Sequence, residues 1–464
     1  MAFGIFKKKN LADVIFMNGH IFTQDAEYPW AGAVACKEGK VLAIGDFEGM
    51  DELRTEETQI IDLHEQYMFP GFIDVHDTPV LKAFEDHYLA IDPVWDLDTV
   101  LAAVADYAQD EEKQILFAYG YNEHILSDYD DAEDAHRLLD EIEKDRPVVL
   151  LGISGVHCWF NSLAAAMVEE NAESNGLQYL SPDYVLNLLS PFDFEEIEQQ
   201  VARISENLCE KGFTSVLNLY APDYFGNLYQ DCLIAMAGEN EDIRQRFTGS
   251  LFVNRPLNPE LILHKLSAGR TSCTEIDDLV RYDFLKLEVS DDPDFSFFSQ
   301  DALNTICLIS AEKGFHIHLD ALDTPSAEKA RTAFRYLREK GCRKNTLVLA
   351  TDTPAEAEDG LWIETWPVDF LNRSVFDHCR TVREAIDELT VNAAAIIGRE
   401  NDLGSIERGK LADFTVFREN PLDGDLRSFS RMRASMTVLD SLPVYDEEAA
   451  ADAEMYDLLL SMRL

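Results

Sequence analysis

A histidine follows the apolar run in residues 70–80, PGFIDVHDTPV, where a β-strand would place it near the strand's end. Side chains alternate between the two faces of a strand, so His76 and Thr78 share one face and Asp77 points to the other. Imidazole is a strong ligand for zinc-like ions, whereas a neutral hydroxyl is a weak one. The segment therefore supplies one strong candidate metal ligand, His76. The next residue on the same face, Thr78, would be a weak one.

Two more histidines lie two residues apart in the strand-like segment GFHIHLD (314–320). His316 and His318 would therefore share a face. One interpretation is a relocated His-x-His pair that partly compensates for Thr78. The other, which we favour for His316, is a core histidine satisfied by a backbone or carboxylate partner.

The middle of the chain supplies the elements that would hold these side chains. Apolar strand-like runs alternate with amphipathic stretches such as SAEKARTAFRYLREKG, which ends in a basic residue and then glycine, a helix stop signal. This alternation predicts α/β architecture with parallel strands in a TIM-like (β/α) barrel, whose catalytic groups lie at the carboxyl ends of the strands. The predicted strands, besides those in residues 71–76 and 314–320, are QILFAYGY (114–121), PVVLLGIS (147–154), TSVLNLY (214–220), FTGSLFV (247–253), FLKLEVS (284–290) and NTLVLATD (345–352).

Little chain separates the last of these strands from the helical stretch TVREAIDELTVNAAAIIG, so the barrel is either truncated or completed by GLWIETWPV (360–368). Both ends of the chain are β-rich, with NGH and KEGK as predicted hairpin turns. Neither end alone has enough strands to bury a face. We therefore predict a composite β-sandwich from residues 1–69 and 401–464, with a tail helix in the latter, around a barrel in residues 70–400.

Composition excludes several classes of function. The formal net charge is −48, from 39 basic and 87 acidic side chains, and such a field repels nucleic acid and anionic membranes. The eight cysteines form no CxxC pair, and most are predicted to be reduced core residues. No apolar window approaches the ~18 residues of a membrane span, and the N-terminus does not fit a signal peptide. We expect a cytoplasmic protein.

Four motifs follow one another along nearly the whole chain: ADVIFMNGHIFTQDAEYPWAGAVACKEGKVLAIGD with IIDLHEQYMFPGFIDVH, then RPVVLLGISGVHCWFNSLAAAM, then GFHIHLD, then TVREAIDELTVNAAAIIG with LGSIERGKLADFTVF. In this order they resemble the amidohydrolase superfamily and, within it, the YtcJ-like (amidohydrolase-3) group. The second motif is similar to that group's H-x-x-W-x-N-S-x-A segment. The resemblance implies a metal-dependent hydrolase, although fold by itself does not fix activity.

The resemblance also implies a ligand set. It comprises a strand-1 His-x-His pair, a strand-4 lysine that is carboxylated, histidines on strands 5 and 6, and a strand-8 aspartate that binds metal and accepts a proton from water. His76, Lys286, His318 and Asp352 match the first histidine, the lysine, the strand-5 histidine and the aspartate. Lys286 also has a structural interpretation, as a barrel lysine paired with Glu288 or with a neighbouring carboxylate.

The segment LATDTPAEAED, which contains Asp352, fits two strands. It is similar to the strand-8 ending of the family, and it also lies where strand 6 should come, in which case the strand-6 histidine is lost. Under either alignment one family ligand is missing. The resemblance therefore implies a degenerate site, with a divalent metal, most readily a single zinc ion, or with no metal.

His157, in GVHCWFNS, is a predicted substrate contact, because this region borders the substrate pocket in the family the chain resembles. Structural roles account for its neighbours: Trp159 would pack in the core and Asn161 would cap the helix beginning SLAAAM.

Two functions follow from this reading. The first is hydrolysis of non-peptide carbon–nitrogen bonds of a small molecule by metal-activated water, with Asp352 as the base. The second is a catalytically inactive relative that binds a small molecule or serves as a scaffold. A small molecule is the expected partner in both, and a homodimer is compatible with either.

Overall fold

The computed structural model describes residues 11–77, 88–127, 129, 132–153, 157–175, 182–190, 194–219, 233–234, 236–237, 244–253, 258–273, 278–290, 298–321, 323–351, 361–365 and 379–450. The chain forms two compact units. Unit 1 comprises Met1–Asp77, Ala202–Leu219 and Leu233–Leu464, and unit 2 comprises Thr78–Val201 and Tyr220–Cys232. Residues 70–400, which the sequence assigns to the barrel, thus contain parts of both units.

The strands, in chain order, are β1 (Val14–Phe22), β2 (Trp30–Lys37), β3 (Lys40–Gly45), β4 (Gln59–Asp62), β5 (Tyr67–Pro70), β6 (Phe72–Asp77), β7 (Leu89–Ala90), β8 (Leu116–Tyr121), β9 (Val148–Gly152), β10 (Cys158–Phe160), β11 (Phe213–Asn218), β12 (Arg246–Val253), β13 (Val280–Glu288), β14 (His316–Asp320), β15 (Leu347–Thr351), β16 (Trp362–Thr365), β17 (Phe414–Phe417), β18 (Met436–Leu439) and β19 (Leu442–Asp446).

The helices are α1 (Phe47–Met50), α2 (Leu97–Tyr107), α3 (Ala132–Asp140), α4 (Ser162–Asn175), α5 (Pro182–Leu189), α6 (Phe194–Glu210), α7 (Pro259–Ser272), α8 (Gln300–Glu312), α9 (Thr324–Glu339), α10 (Val382–Asp387), α11 (Ala393–Ile396) and α12 (Leu426–Phe429). A π-helical stretch, Glu388–Asn392, joins α10 to α11. Side-chain caps fix several starts: the hydroxyl of Ser299 accepts the Ala302 N–H at α8, and Asp323 accepts the Ser326 N–H at α9.

The two ends of the chain build one sheet in unit 1, in the order β19-β18-β17-β5-β1-β2-β3 with β4 beside β1. Strands β5 and β17 pair antiparallel, Pro70 opposite Phe414, and so join the N- and C-terminal segments. The predicted KEGK turn links β2 to β3, which confirms it. The NGH turn is wrong: these residues form an irregularity inside β1, where Asn18 has a positive φ of 56°. A two-layered sandwich stays a prediction.

A second sheet of unit 1 holds the barrel strands in the order β16-β15-β14-β13-β12-β11-β6, with parallel pairing throughout. Within the described residues, β6 and β16 are its two edges. This is mixed α/β architecture with a parallel half-barrel that fits the TIM-like prediction. The run GLWIETWPV does supply a further strand, β16.

The strands predicted at QILFAYGY and PVVLLGIS do not belong to the barrel sheet. They are β8 and β9 of a separate sheet in unit 2, ordered β10-β9-β8-β7. Leu116, Leu150 and Trp159 of this sheet pack with Val100 and Val104 of α2 in the core of unit 2. The sequence left open whether QILFAYGY is a barrel strand, and its barrel assignment of PVVLLGIS was wrong, because a buried parallel strand has the same apolar pattern in any sheet.

A buried guanidinium ties the barrel to the terminal sheet. Arg246 begins β12, is 2% exposed, and binds Asp413 in a fork, with Nε–Oδ2 and Nη2–Oδ1 distances of 2.7 and 3.1 Å. Its Nη2 also contacts Asp440. Such a bidentate pair fixes the register of two sheets, because the guanidinium and the carboxylate meet in one geometry.

The described cysteines are thiols rather than disulfides, and those at 36, 209, 273, 307 and 342 are buried, as predicted for most of them. Among the described helices, none combines the length and the apolar character needed to cross a membrane.

Candidate functional site

Strand alternation places Lys286 and His318 on the same face of the barrel sheet. On the opposite face, Leu285, Ile317 and Leu319 pack against the helices in a buried core. Burying each such side chain contributes about 1.5–3 kcal/mol, so the orientation of the strands is strongly fixed. The register then aligns the two polar residues, because Lys286 lies opposite His318 in the parallel pair of β13 and β14.

Lys286, His318 and Asp320 form a compact polar cluster. The Lys286 Nζ contacts the Asp320 carboxylate and lies 3.1 Å from the His318 Nδ1. The His318 Nδ1 lies 3.4 Å from the Asp320 Oδ1. The side chains of Lys286 and His318 are 3% and 0% exposed, while Asp320 keeps 14%. The cluster is therefore a buried cation, a buried imidazole and a carboxylate that reaches partial solvent at the carboxyl end of β14.

Asp320 is the residue that the sequence reasoning missed. It follows His318 by two positions in β14, so the same alternation that identified the histidine also predicts a shared face. The structure confirms that Lys286 pairs with a neighbouring carboxylate, and it identifies that group as Asp320 of the next strand rather than Glu288. The spacing was visible, but 87 acidic residues made a single aspartate hard to single out.

His316 is a structural core residue, as we favoured, and not part of a relocated metal-binding pair. Its Nδ1 accepts the backbone N–H of Thr346 at 2.9 Å, and its ring stacks on Phe284 with centroids 5.0 Å apart. Burial lowers the pKa of His316, which keeps the ring neutral near pH 7. The ring also lies against Gly398, where a Cβ would come 2.5 Å from the His316 Cε1.

The structure describes the remaining predicted ligands only in part. His76 lies in β6, but its side chain is outside the described part of the structure, as are Thr78 and Asp352. Asp352 directly follows β15, which pairs with β14 and β16 and is sixth in chain order among the strands that the structure describes in this sheet. Both alignments of LATDTPAEAED, with strand 6 and with strand 8 of the family, stay predictions. The role of Asp352 as ligand and base stays a prediction.

His157 lies in unit 2, immediately before β10. Its Nδ1 is 2.6 Å from the Tyr121 hydroxyl. Burial raises the pKa of Tyr121, so the phenol stays protonated and forms a hydrogen bond with the His157 ring. His157 also lines a cavity of about 460 Å³ within unit 2, together with Glu123 and Glu169. This volume is in the range of small-molecule sites.

The neighbours of His157 have the predicted structural roles. Trp159 is 2% exposed and its Nε1 donates to the Ala135 carbonyl at 2.8 Å. Asn161 accepts the Ala164 N–H at 3.0 Å through its Oδ1, which caps α4. Its Nδ2 donates to the carbonyls of Glu143 and Arg146. Both residues hold the fold around His157.

The chemistry of the Lys286 cluster fits a metal in part. Imidazole and carboxylate are ligands that zinc accepts, and His318 and Asp320 provide one of each. As an ammonium, Lys286 cannot act as a metal ligand. It also occupies the position from which a metal ion would neutralise the charge of Asp320. Within the described residues, no three His, Cys, Asp or Glu side chains converge as a metal site. A complete site therefore requires further ligands, for which carboxylated Lys286 and the side chains of His76 and Asp352 are the predicted groups.

A parallel half-barrel with histidine, lysine and aspartate towards the carboxyl ends of its strands has the arrangement in which barrel enzymes place their catalytic groups. The sequence profile of Amidohydro_3, described as the amidohydrolase family, matches residues 59–246 and 350–445, more than half of the chain. The chain belongs to the amidohydrolase family. Lys286, His318 and Asp320 lie in residues 247–349, between the two matched parts.

Three known proteins illustrate what this chain is similar to. The putative amidohydrolase YtcJ of Bacillus subtilis is 22% identical over 93% of this chain and 99% of its own. The exoenzymes regulatory protein AepA of Pectobacterium carotovorum is 24% identical over 51% of this chain, which spans about half (55%) of that relative. An uncharacterized metal-dependent hydrolase from Pyrococcus horikoshii has a similar fold, with a TM-score of 0.59, 15% identity, and coverage of 89% and 99%.

Proposed function

We propose that this protein is a metal-dependent hydrolase that cleaves a non-peptide carbon–nitrogen bond of a small molecule. The observation that carries the proposal is the convergence of Lys286, His318 and Asp320 on one buried face, towards the carboxyl ends of adjacent strands. Catalytic groups of barrel enzymes lie at these ends. Membership of the amidohydrolase family supports the same reaction class.

In this proposal His318 and Asp320 hold the metal, most readily zinc, with His76 and carboxylated Lys286 as further ligands. A bound divalent ion would lower the pKa of a water molecule and polarise the scissile carbonyl. Asp352, which follows the neighbouring strand β15, would accept the proton, and His157 would contact the substrate. A cytoplasmic location and a homodimer remain predictions from sequence.

Carboxylation of Lys286 and metal binding should depend on each other. The Lys286 ammonium first loses a proton, and the neutral amine then adds CO2 and releases a second proton, so that a cation beside Asp320 becomes an anion. Two buried carboxylates so close together repel strongly, since neither is well solvated. A divalent cation removes this repulsion. The ion pair seen in the structure and the metal centre are therefore two alternative ways to neutralise Asp320.

A second candidate function is a catalytically inactive relative that binds a small molecule. The specific observation that favours it is the Lys286–Asp320 ion pair, because the ammonium already supplies the positive charge that a metal would bring. The cavity of about 460 Å³ beside His157 would supply the binding site. Losing ligands weakens metal binding steeply, since even groups that only orient a ligand contribute ~10–100-fold.

Metal analysis of protein purified without chelator separates the two functions. We expect about one zinc per chain in the wild type, in line with a single family-type centre. His318→Ala should lose this metal, whereas His64→Ala, which removes an exposed histidine of the same unit, should keep it. As a second measurement, carbon-13 NMR of protein equilibrated with labelled bicarbonate should show a carbamate signal that Lys286→Ala abolishes.

Absence of bound metal, together with no change in thermal stability on addition of zinc or manganese, would reject the hydrolase and leave the binding function. Metal that is retained equally by His318→Ala and His64→Ala would instead show that the ion binds elsewhere. In that case the centre assigned to this cluster is wrong, even if hydrolysis is observed.

A further inference from the structure

A second cavity, which belongs to unit 1, lies at the opposite end of the barrel strands from the Lys286 cluster. It has a volume of about 300 Å³. Phe72 and Phe213, the first residues of β6 and β11, line it from the amino ends of these parallel strands. Its other walls come from β17 and from the segment that follows α12. The volume is at the lower limit of small-molecule sites.

Four phenylalanines form the apolar floor of this cavity, which we call the basal cavity. The ring of Phe72 lies at the centre, with centroids 6.2 Å from Phe213, 5.7 Å from Phe417 and 6.0 Å from Phe429. The pairs with Phe213 and Phe429 are edge-on, a favourable aromatic geometry. The four rings are 1–6% exposed, so the floor is rigid and dry.

The walls of the basal cavity are fixed by contacts between α6 and the terminal sheet. Gly212 has a positive φ of 87°, and a Cβ there would come 2.3 Å from the Thr415 Cγ2, so only glycine allows the two backbones to approach this closely. The Ala434 N–H donates to the Glu210 carbonyl at 2.8 Å. These contacts mean that the cavity is already formed in the protein and does not depend on a ligand to shape it.

The rim of the basal cavity is positively charged in a protein with a net charge of −48. Lys211, Arg431 and Arg433 all line it. Arg433 contacts the Glu210 carboxylate. Arg431 is exposed and forms no ion pair with any residue that the structure describes. Acidic residues outnumber basic ones 87 to 39 in the chain, whereas this cavity is lined by three basic side chains and one carboxylate, that of Glu210.

We propose that the basal cavity binds a small monocarboxylate with an apolar body. The apolar part would fill the space above the four rings, and the carboxylate would bind the Arg431 guanidinium, whose planar donors match a carboxylate in a fork. Because the cavity lies at the amino ends of β6 and β11, it is a separate site from the candidate metal centre. The proposal therefore stands independently of the hydrolase function.

Isothermal titration calorimetry with three related probes tests the site: 3-phenylpropionate, its neutral amide 3-phenylpropanamide, and the cation 3-phenylpropylamine. We expect 3-phenylpropionate to bind about tenfold more tightly than the amide, since a charge-assisted pair at a partly desolvated site is worth roughly that factor. The amine should bind more weakly than either. Added sodium chloride should weaken the binding of 3-phenylpropionate but not that of the amide, because salt screens an exposed charge.

Two surface variants locate the binding. Arg431→Gln should lower the affinity for 3-phenylpropionate about fivefold to tenfold. Arg427→Gln, the matched control, removes an exposed arginine of α12 that does not line the cavity and should leave affinity unchanged. Ser430→Trp should block the cavity and abolish binding of both the acid and the amide.

Circular dichroism would confirm that each variant is folded, and the two arginine variants suffice if Ser430→Trp does not fold. Three results would overturn the proposal. These are no heat of binding at millimolar 3-phenylpropionate, equal affinity for the acid and the amide, or equal affinity in Arg431→Gln and Arg427→Gln.

Discussion

Replacing Lys286 with methionine tests whether its ammonium stabilises the buried cluster. The substitution keeps most of the aliphatic volume and leaves the Asp320 carboxylate without the cation that contacts it. Removing one partner of a fully buried pair costs about 3–5 kcal/mol. Because the Asp320 side chain is 14% exposed and gains some hydration, we expect the free energy of unfolding of unit 1 to fall by about 2–3 kcal/mol. Urea denaturation of chelator-treated protein measures this change.

The double variant Lys286→Met with Asp320→Asn separates loss of charge pairing from loss of packing. It removes both charges, so it should recover at least half of the loss caused by Lys286→Met alone. Lys344→Met, at an exposed position, is the matched control and should change stability by no more than about 0.5 kcal/mol. If Lys286→Met behaves like this control in metal-free protein, the ammonium does not neutralise Asp320, and the charge argument for carboxylation fails with it.

Three further changes test the packing around the site. Burial lowers the pKa of His316, so the protein takes up a proton on unfolding, and its stability decreases as the pH is lowered through about 6.5. In His316→Gln this decrease should be shallower, by at most about 1.4 kcal/mol per pH unit. Urea titrations at several pH values measure the difference. Gly398→Ala should cost about 1–3 kcal/mol more than Gly341→Ala, since both have positive φ but only the former meets the His316 ring. Arg246→Met should cost about 3–5 kcal/mol by thermal or urea unfolding, because Asp413 stays buried.

Opposite outcomes for these variants are equally informative. Equal pH dependence in the wild type and His316→Gln would mean that the pKa of this imidazole does not change on folding. Equal stability of Gly398→Ala and Gly341→Ala would mean that the His316 ring moves aside at no cost. An Arg246→Met variant as stable as the wild type would show that the fork to Asp413 does not hold the two sheets together.

The sequence predicted the barrel strands well where they alternate with helices. FTGSLFV, FLKLEVS, GFHIHLD and NTLVLATD each overlap a strand of the barrel sheet. It left β8 open and failed for β9, because their apolar runs show a buried strand but not which sheet buries it. It also misread NGH as a turn, since a positive φ at Asn18 suits an irregular strand as well as a hairpin.

The candidate site was predictable to the extent that it depends on strand alternation. Side chains alternate between the two faces of a strand, and the register of β13 and β14 places Lys286 opposite His318, so both lie on one face. Asp320 obeys the same rule but was overlooked. The strand number of Asp352 was beyond the sequence, because it depends on which strands pair, and β15 pairs with β14 and β16. Pairing between distant segments leaves no local pattern in the chain.

The pairing of β5 with β17 also constrains how the protein is made. During synthesis β5 emerges early, while its partner strand emerges only after the whole barrel sheet. Until then β5 presents unpaired backbone groups next to the apolar side chains of Met68 and Phe69, which are fully buried in the finished protein. Such an edge can pair with another nascent chain. We therefore expect the yield of folded protein to depend on translation rate and chaperone supply more than on the stability of the finished molecule.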